Sequence, residues 1–90
     1  MTGRALDAHV YTSRALTRRQ REVLTHVANG HTNAQIGVLL GLHPRTVDRH
    51  LAGTYKTLGA HDRANAVALA LLAGDLTRDD ITLPAARRTT

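Results

Sequence analysis

The chain has 90 residues, which allows one small domain with a single modest core. It contains no Cys, Trp or Phe, which excludes disulfides and thiolate zinc sites and disfavours RNA-binding folds that stack bases on aromatic rings. Twelve Lys and Arg against seven Asp and Glu give a net charge of +5, and so basic a small chain suggests a polyanionic partner such as nucleic acid.

Residues 1–15 are predicted to be an N-terminal extension, in which Leu6 and Val10 have the spacing of a short amphipathic turn but no residue caps a helix. No apolar run reaches the roughly 18 residues that a membrane span needs. The first residues also lack the apolar segment of a signal peptide. We therefore expect a cytoplasmic protein that has no membrane partner.

Two capping boxes predict two successive helices, over 18–28 and 33–40. In Thr17-Arg18-Arg19-Gln20 and again in Thr32-Asn33-Ala34-Gln35, a Thr hydroxyl and a Gln side chain can satisfy two free backbone amides. Each helix is followed by a glycine suited to a left-handed backbone, Gly30 and Gly41. The residues expected to face the core are Val23, Leu24 and Val27 in the first helix and Ile36, Leu39 and Leu40 in the second.

A third helix is predicted over 44–57 because Pro44 suits the first helical position and Gly59 suits the end. Its residues expected to face the core are Val47, Leu51, Thr54 and Leu58. Asp62 can cap a fourth helix, over 63–73, which Gly74 ends. The predicted domain spans 16–76, and residues 77–90 are predicted to be a C-terminal tail.

Two helices joined by a short turn that contains Gly41 have the form of a helix-turn-helix. Four stretches resemble the LuxR/GerE-type DNA-binding domain: LTRRQREVL (16–24), ANGHTNAQIG (28–37), LGLHPRTVDRHL (40–51) and YKTLGAHDRANAV (55–67). The resemblance is ungapped from Leu16 to Leu76. It implies an all-α, four-helix domain with short terminal extensions, belonging to a bacterial transcriptional regulator. It also implies that the third helix enters the major groove of duplex DNA, that the second braces it and that the fourth forms a homodimer.

The third helix is expected to turn a polar face towards DNA, opposite its apolar stripe. On that face, the guanidinium of Arg49 is the best candidate to read a guanine. Asp48 is expected either to accept from a cytosine amine, to orient Arg49 or only to balance local charge. Ala52 is expected to contact a thymine methyl group, and Gly53 to allow close approach of the backbone. The sequence departs from the resembled family here, since a basic residue is common at Asp48.

Phosphate contacts are predicted at the starts of two helices, where free amides and the positive end of the helix dipole attract anions, and at one cation near a helix end. The candidates are Thr32 and Asn33 at the start of the second helix, Arg45 and Thr46 at the start of the third, and Lys56 near its end. Arg19, by contrast, is expected to pair with Glu22 or another acid.

The fourth helix has more apolar residues than one buried stripe requires. If Ala66, Val67, Ala70 and Leu71 face the core, three apolar residues remain outside: Ala68, Leu69 and Leu72. An exposed apolar strip usually marks a partner surface, so these three are the predicted dimer interface. The alternative is that a terminal extension of the same chain covers the strip.

No catalytic residue, metal site or cofactor is predicted. The histidines lack the spacing of a metal-binding pair; His50 is expected to be buried and hydrogen-bonded, and His31 and His61 to be exposed in loops. RNA polymerase or another regulator is a further candidate partner. Two alternative functions remain open: a protein-binding adaptor with little DNA affinity, which the acidic Asp48 would suit, and a sigma-factor region 4-like module, against which the YKTLG sequence argues.

Overall fold

The computed structural model describes residues 16–84, which form an all-α arrangement without a β-strand in that range. The helices are α1 (Arg18–Ala28), α2 (Asn33–Leu40), α3 (Pro44–Leu58) and α4 (Arg63–Ala73), followed by a short 3-10 turn (Arg78–Asp80). The four predicted helices are confirmed, and α3 extends one residue further than expected. The predicted extension over 1–15 lies outside the described residues, as does the end of the chain over 85–90.

The helices α1, α2 and α4 begin where their capping residues predict. Thr17 Oγ1 accepts from the Gln20 amide at 3.0 Å, and Gln20 Oε1 accepts from the Thr17 amide at 2.9 Å. The same reciprocal pair joins Thr32 and Gln35 at the start of α2, and Asp62 caps α4 through the Asn65 amide. These bonds satisfy amides that have no partner within the helix, so each helix start is fixed by its local sequence.

The core lies around α3, which packs against each of the other three helices. Its buried residues are Val47, Leu51 and Thr54, and the two apolar ones share one core cluster with side chains from the other three helices and from the segments beside them. Those partners are Leu16, Val23, Leu24, Val27, Ile36, Ala66, Ala70 and Leu76. The opposite side of α3 takes no part in this core and is exposed to solvent.

The turn between α2 and α3 depends on a close approach at Gly37. The Leu42 amide donates to the Gly37 carbonyl oxygen at 2.8 Å, and a Cβ on Gly37 would clash with the Leu42 carbonyl oxygen. Gly41 ends α2 in the left-handed region at φ 70°. The sequence pattern identified Gly41, but Gly37 was missed because nothing local marks a position where the next segment of backbone passes close by.

The prediction that two leucines face the core is wrong. Leu39 is 55% exposed and Leu71 is 38% exposed. In α4 the buried residues are Ala66 and Ala70, and at 100° per residue this stripe places Leu71 about 120° from its centre. α2 has only eight residues and buries Ile36 and Gly37, so Leu39 lies on the outer side.

Residues beyond α4 lie against the end of α1. Asn29 Nδ2 donates to the Asp80 carbonyl oxygen at 2.8 Å, while Asn29 Oδ1 accepts from the Thr82 amide at 2.7 Å. The amide side chain thus pairs with the backbone of residues 80–82. This part of the predicted tail is therefore held to the helices, and the domain boundary at residue 76 stays a prediction. None of the helices within 16–84 is long and apolar enough to cross a membrane.

Candidate nucleic-acid interface

The outer face of α3 gathers the charged residues of the helix. Arg45, Arg49 and Lys56 are exposed opposite the buried stripe that begins at Val47, and the exposed Asp48 lies at the side of that face, about 90° from the centre of the stripe. Ala52 is exposed on the same helix. The residues proposed from sequence for base contact and the cations proposed for phosphate contact therefore share one solvent-facing surface, which carries three positive charges and one negative charge.

Gly53 does not belong to that outer face, which corrects the expectation that it thins the surface towards DNA. It is half-buried, and a Cβ there would lie 2.9 Å from Gln20 Nε2. The glycine therefore accommodates the capping side chain of α1. The physical reason for its small size is packing between helices within the domain.

The start of α2 has free backbone donors. The amides of Gln35 and Ile36 are taken by the Thr32 side chain and carbonyl oxygen, but those of Asn33 and Ala34 make no hydrogen bond within residues 16–84. Thr32 is exposed and Asn33 is half-buried. Two free amides beside a Thr hydroxyl at the positive end of a helix form an arrangement that suits a phosphate.

The start of α3 differs because its free amides have internal partners. His43 caps the helix by accepting from the Arg45 amide through Nδ1 at 3.0 Å, and the Thr46 amide donates to the His43 carbonyl oxygen. Arg45 is exposed and Thr46 is half-buried. An anion at this end would therefore meet the side chains of these two residues, since the amides are occupied.

Arg63 is a polar residue of this region that the sequence reasoning missed. From the first position of α4 it donates to Asn33 Oδ1 at 2.7 Å and to the His31 carbonyl oxygen at 2.6 Å. Asn33 Nδ2 in turn lies 3.5 Å from Asp48 Oδ1. The sequence marks Arg63 only as a cation directly after the Asp62 cap. No sequence pattern connects positions 33 and 63.

The outer face of α4 is apolar, but its exposed residues are not the three that were predicted. Leu72 is 85% exposed and Ala68 is exposed, whereas Leu69 is half-buried at the edge of the core stripe. The exposure of the two leucines differs because Leu69 lies about 80° from the centre of the Ala66–Ala70 stripe, whereas Leu72 lies about 140° from it. A second exposed apolar pair lies on α2, where Val38 is 84% exposed next to Leu39.

An ion pair and the surroundings of three histidines were also predicted from the sequence. Arg19 and Glu22 form the expected ion pair at 3.1 Å. His61 is exposed as expected, but His31 is half-buried against the His26 ring, with 5.6 Å between ring centroids. His50 is only half-buried and its ring makes no hydrogen bond within the described part of the chain, which corrects the expectation of a buried, bonded histidine. No group of three or more potential metal ligands occurs among residues 16–84.

The profile of one protein family, described as bacterial regulatory proteins of the luxR family (GerE), matches residues 14–70. The matched range contains the whole α2–turn–α3 unit and most of α4. No solved structure is significantly similar to the chain.

Curated proteins with similar sequences include three bacterial regulators. The transcriptional activator protein BjaR1 of Bradyrhizobium diazoefficiens is 41% identical over 68 residues, which cover 76% of this chain and 28% of that protein. The probable transcriptional regulatory protein SgaR of Hyphomicrobium methylovorum is 49% identical over 55 residues, 61% of this chain and 26% of that protein. The transcriptional regulatory protein FixJ of Azorhizobium caulinodans is 39% identical over 67 residues, 74% of this chain and 32% of that protein. The chain thus spans about a quarter to a third of the length of these relatives.

Proposed function

Since this chain belongs to the luxR family of bacterial regulatory proteins, we propose that it regulates transcription by binding duplex DNA through α3. The observation that carries the proposal is the outer face of α3, where Arg45, Arg49 and Lys56 are exposed opposite a fully buried apolar stripe. An α-helix fits the major groove, and a guanidinium can bond to two acceptors of a guanine there. The protein acts in the bacterial cytoplasm under this proposal, without catalysis of its own.

Base reading is assigned to Arg49, Asp48 and Ala52, which are exposed together on α3. Arg49 is the residue best suited to guanine, Asp48 to the amine of a cytosine, and Ala52 to a thymine methyl group. The negative Asp48 opposes binding to phosphates, so its place on this face favours a role in selection over a role in general affinity.

Phosphate binding is assigned to the ends of α2 and α3. The free amides of Asn33 and Ala34, with the exposed Thr32 hydroxyl, support one contact. Arg45, Thr46 and Lys56 support the others through their side chains. These contacts fix the position of the domain on the duplex and carry no sequence information themselves.

Dimerisation is assigned to the outer face of α4. Leu72 and Ala68 are exposed there, and Leu69 lies at the edge of the strip. A two-fold contact would place each of these residues near its own copy. The strip is small, so association is expected to be weak in solution and stronger where DNA holds two copies side by side.

Binding to pools of random duplex DNA across a salt series tests the proposal. The chain should enrich a defined sequence, and log K should fall by about 0.9 units per tenfold rise in salt for each phosphate that a cation neutralises. A chain that enriches no sequence and shows a slope near zero would contradict DNA-binding regulation.

A protein-binding adaptor is the second candidate, and the exposed Val38 and Leu39 of α2 are the observation that favours it. These side chains are 84% and 55% exposed on a helix that otherwise braces α3. If the salt slope is near zero, the outer side of α2 is the surface to test against RNA polymerase or another regulator, with Val38→Glu as the disrupting variant.

A further inference from the structure

Arg63 joins the start of α4 to the start of α2. Its Nη1 donates to Asn33 Oδ1 at 2.7 Å and its Nη2 donates to the His31 carbonyl oxygen at 2.6 Å. Both bonds are partly buried, and they connect residues that are 30 and 32 positions apart in the chain. One guanidinium therefore fixes both the loop that precedes α2 and the side chain of the first residue of α2.

The chemistry of the guanidinium sets the orientation of the Asn33 amide. A guanidinium has only donors, so its partner on Asn33 is the carbonyl oxygen, and the amino group of Asn33 faces the other side. On that side Asn33 Nδ2 lies 3.5 Å from Asp48 Oδ1, at the long end of hydrogen-bond distances. An ionised carboxylate only accepts, so the three side chains form a relay with a single direction, from Arg63 through Asn33 to Asp48.

We infer that Arg63 is a positioning residue for base selection, which acts by holding Asn33 so that the Asp48 carboxylate keeps one orientation on the outer face of α3. This inference rests on the proposed function. Without Arg63 the side-chain amide of Asn33 can rotate so that its oxygen, in place of its amino group, faces the Asp48 carboxylate. The two groups of oxygen atoms then repel each other. Asp48 then loses its partner and is free to turn towards its neighbour Arg49, so discrimination at the base pair facing Asp48 is lost.

The test compares Arg63→Met, Asp48→Ala and the double variant on the sequence that the wild-type chain selects from random DNA. Methionine keeps much of the arginine stem and removes every donor. Affinities are measured for the selected site and for each of its single base-pair changes. Arg63→Met should reduce discrimination at least about threefold at the same base pair that Asp48→Ala relaxes, and the double variant should match Asp48→Ala alone. The dependence of log K on salt should stay as in the wild type.

Two further variants separate this role from a loss of stability or charge. Arg78→Met removes an equal charge from an exposed residue of the 3-10 turn, and its base preferences should equal those of the wild type. Asn33→Ala breaks the relay while the Thr32 cap remains, so it should reproduce the Arg63→Met profile even if Arg63→Met fails to fold.

Three results would overturn the inference while leaving DNA binding intact. Arg63→Met and Asn33→Ala could both keep the wild-type base profile. Arg63→Met could weaken all sequences alike and lower the salt slope by about one unit, which would make Arg63 a phosphate contact. The effects of Arg63→Met and Asp48→Ala could add in the double variant. A wild-type chain that selects no sequence would instead overturn the proposed function itself.

Discussion

Gln20 Nε2 lies so close to Gly53 that a Cβ on the glycine would come within 2.9 Å of it. The same Gln20 side chain closes the capping box of α1 through its Oε1. An alanine at position 53 gains about 1 kcal/mol of helix propensity but must displace this cap. We expect Gly53→Ala to leave the free energy of unfolding within about 0.5 kcal/mol of the wild type, because the two effects oppose each other.

The control for this prediction removes the obstruction. In a Gln20→Ala background, Gly53→Ala should stabilise by the full amount, about 1 kcal/mol. Urea unfolding of the four chains measures the coupling between the two positions. Equal effects of Gly53→Ala in both backgrounds would show that the contact with Gln20 costs nothing.

Gly37→Val should destabilise the domain by at least about 2 kcal/mol, because a Cβ at this position clashes with the Leu42 carbonyl oxygen and backbone cannot move aside as a side chain can. Thermal unfolding followed by circular dichroism measures the loss. The matched control is Val38→Ala at the next position, where the side chain is 84% exposed and the change should stay within about 0.5 kcal/mol. A stable Gly37→Val would mean that the turn has room to open.

Arg49→Ala should cost roughly 1–3 kcal/mol on the selected DNA site and relax preference at one base pair, because it removes a bidentate contact with a base. Competition against sites with single base-pair changes measures the preference. An equal loss of affinity for the selected site and for random DNA would show that Arg49 contacts only the DNA backbone.

Lys56→Ala should weaken binding to all sequences alike and reduce the salt slope by about one unit, since a phosphate contact carries no sequence information. The control is Arg78→Ala, which removes the same charge from an exposed residue outside the outer face of α3 and should leave the slope unchanged. If both variants lower the slope equally, net charge alone sets the affinity.

Leu72→Glu should leave the monomer folded, because the side chain is 85% exposed, and should abolish cooperative binding to a target with two half-sites. Val38→Glu is the matched control, since it places the same charge at a residue that is 84% exposed on another helix. The ratio of affinities for two half-sites and one half-site separates the two variants, because a general loss of affinity leaves it unchanged. If Leu72→Glu keeps the wild-type ratio of these two affinities, the dimer contact does not involve Leu72.

The local features of this fold could be predicted from the sequence, since they depend on neighbours in the chain. The Thr17 and Thr32 caps, the stop at Gly41 and the Arg19–Glu22 pair are of this kind. Two of the features that were missed or misplaced depend on residues distant in the chain. Gly53 faces α1 and Arg63 reaches α2, and neither fact follows from helical spacing within α3 or α4.

The same distinction applies to the outer faces of the helices. Spacing correctly separated the exposed Asp48 and Arg49 from the buried Val47. It misjudged Leu39 and Leu71, because α2 and α4 are rich in apolar residues and several rotations about each helix axis would bury a plausible stripe. The tertiary packing around Ile36, Ala66 and Ala70 selects one rotation.

The buried stripe of α4 is made of two alanines, and this sets how firmly the helix is held. A methyl group buries far less apolar area than a leucine, so α4 gains little free energy from its fully buried residues. Such an element is expected to open in a partial unfolding event below the free energy of global unfolding, and its amide hydrogens should exchange before those of α1 and α3. A second copy bound to the outer side of α4 would slow this exchange, which makes the amides of α4 a direct reporter of assembly in solution.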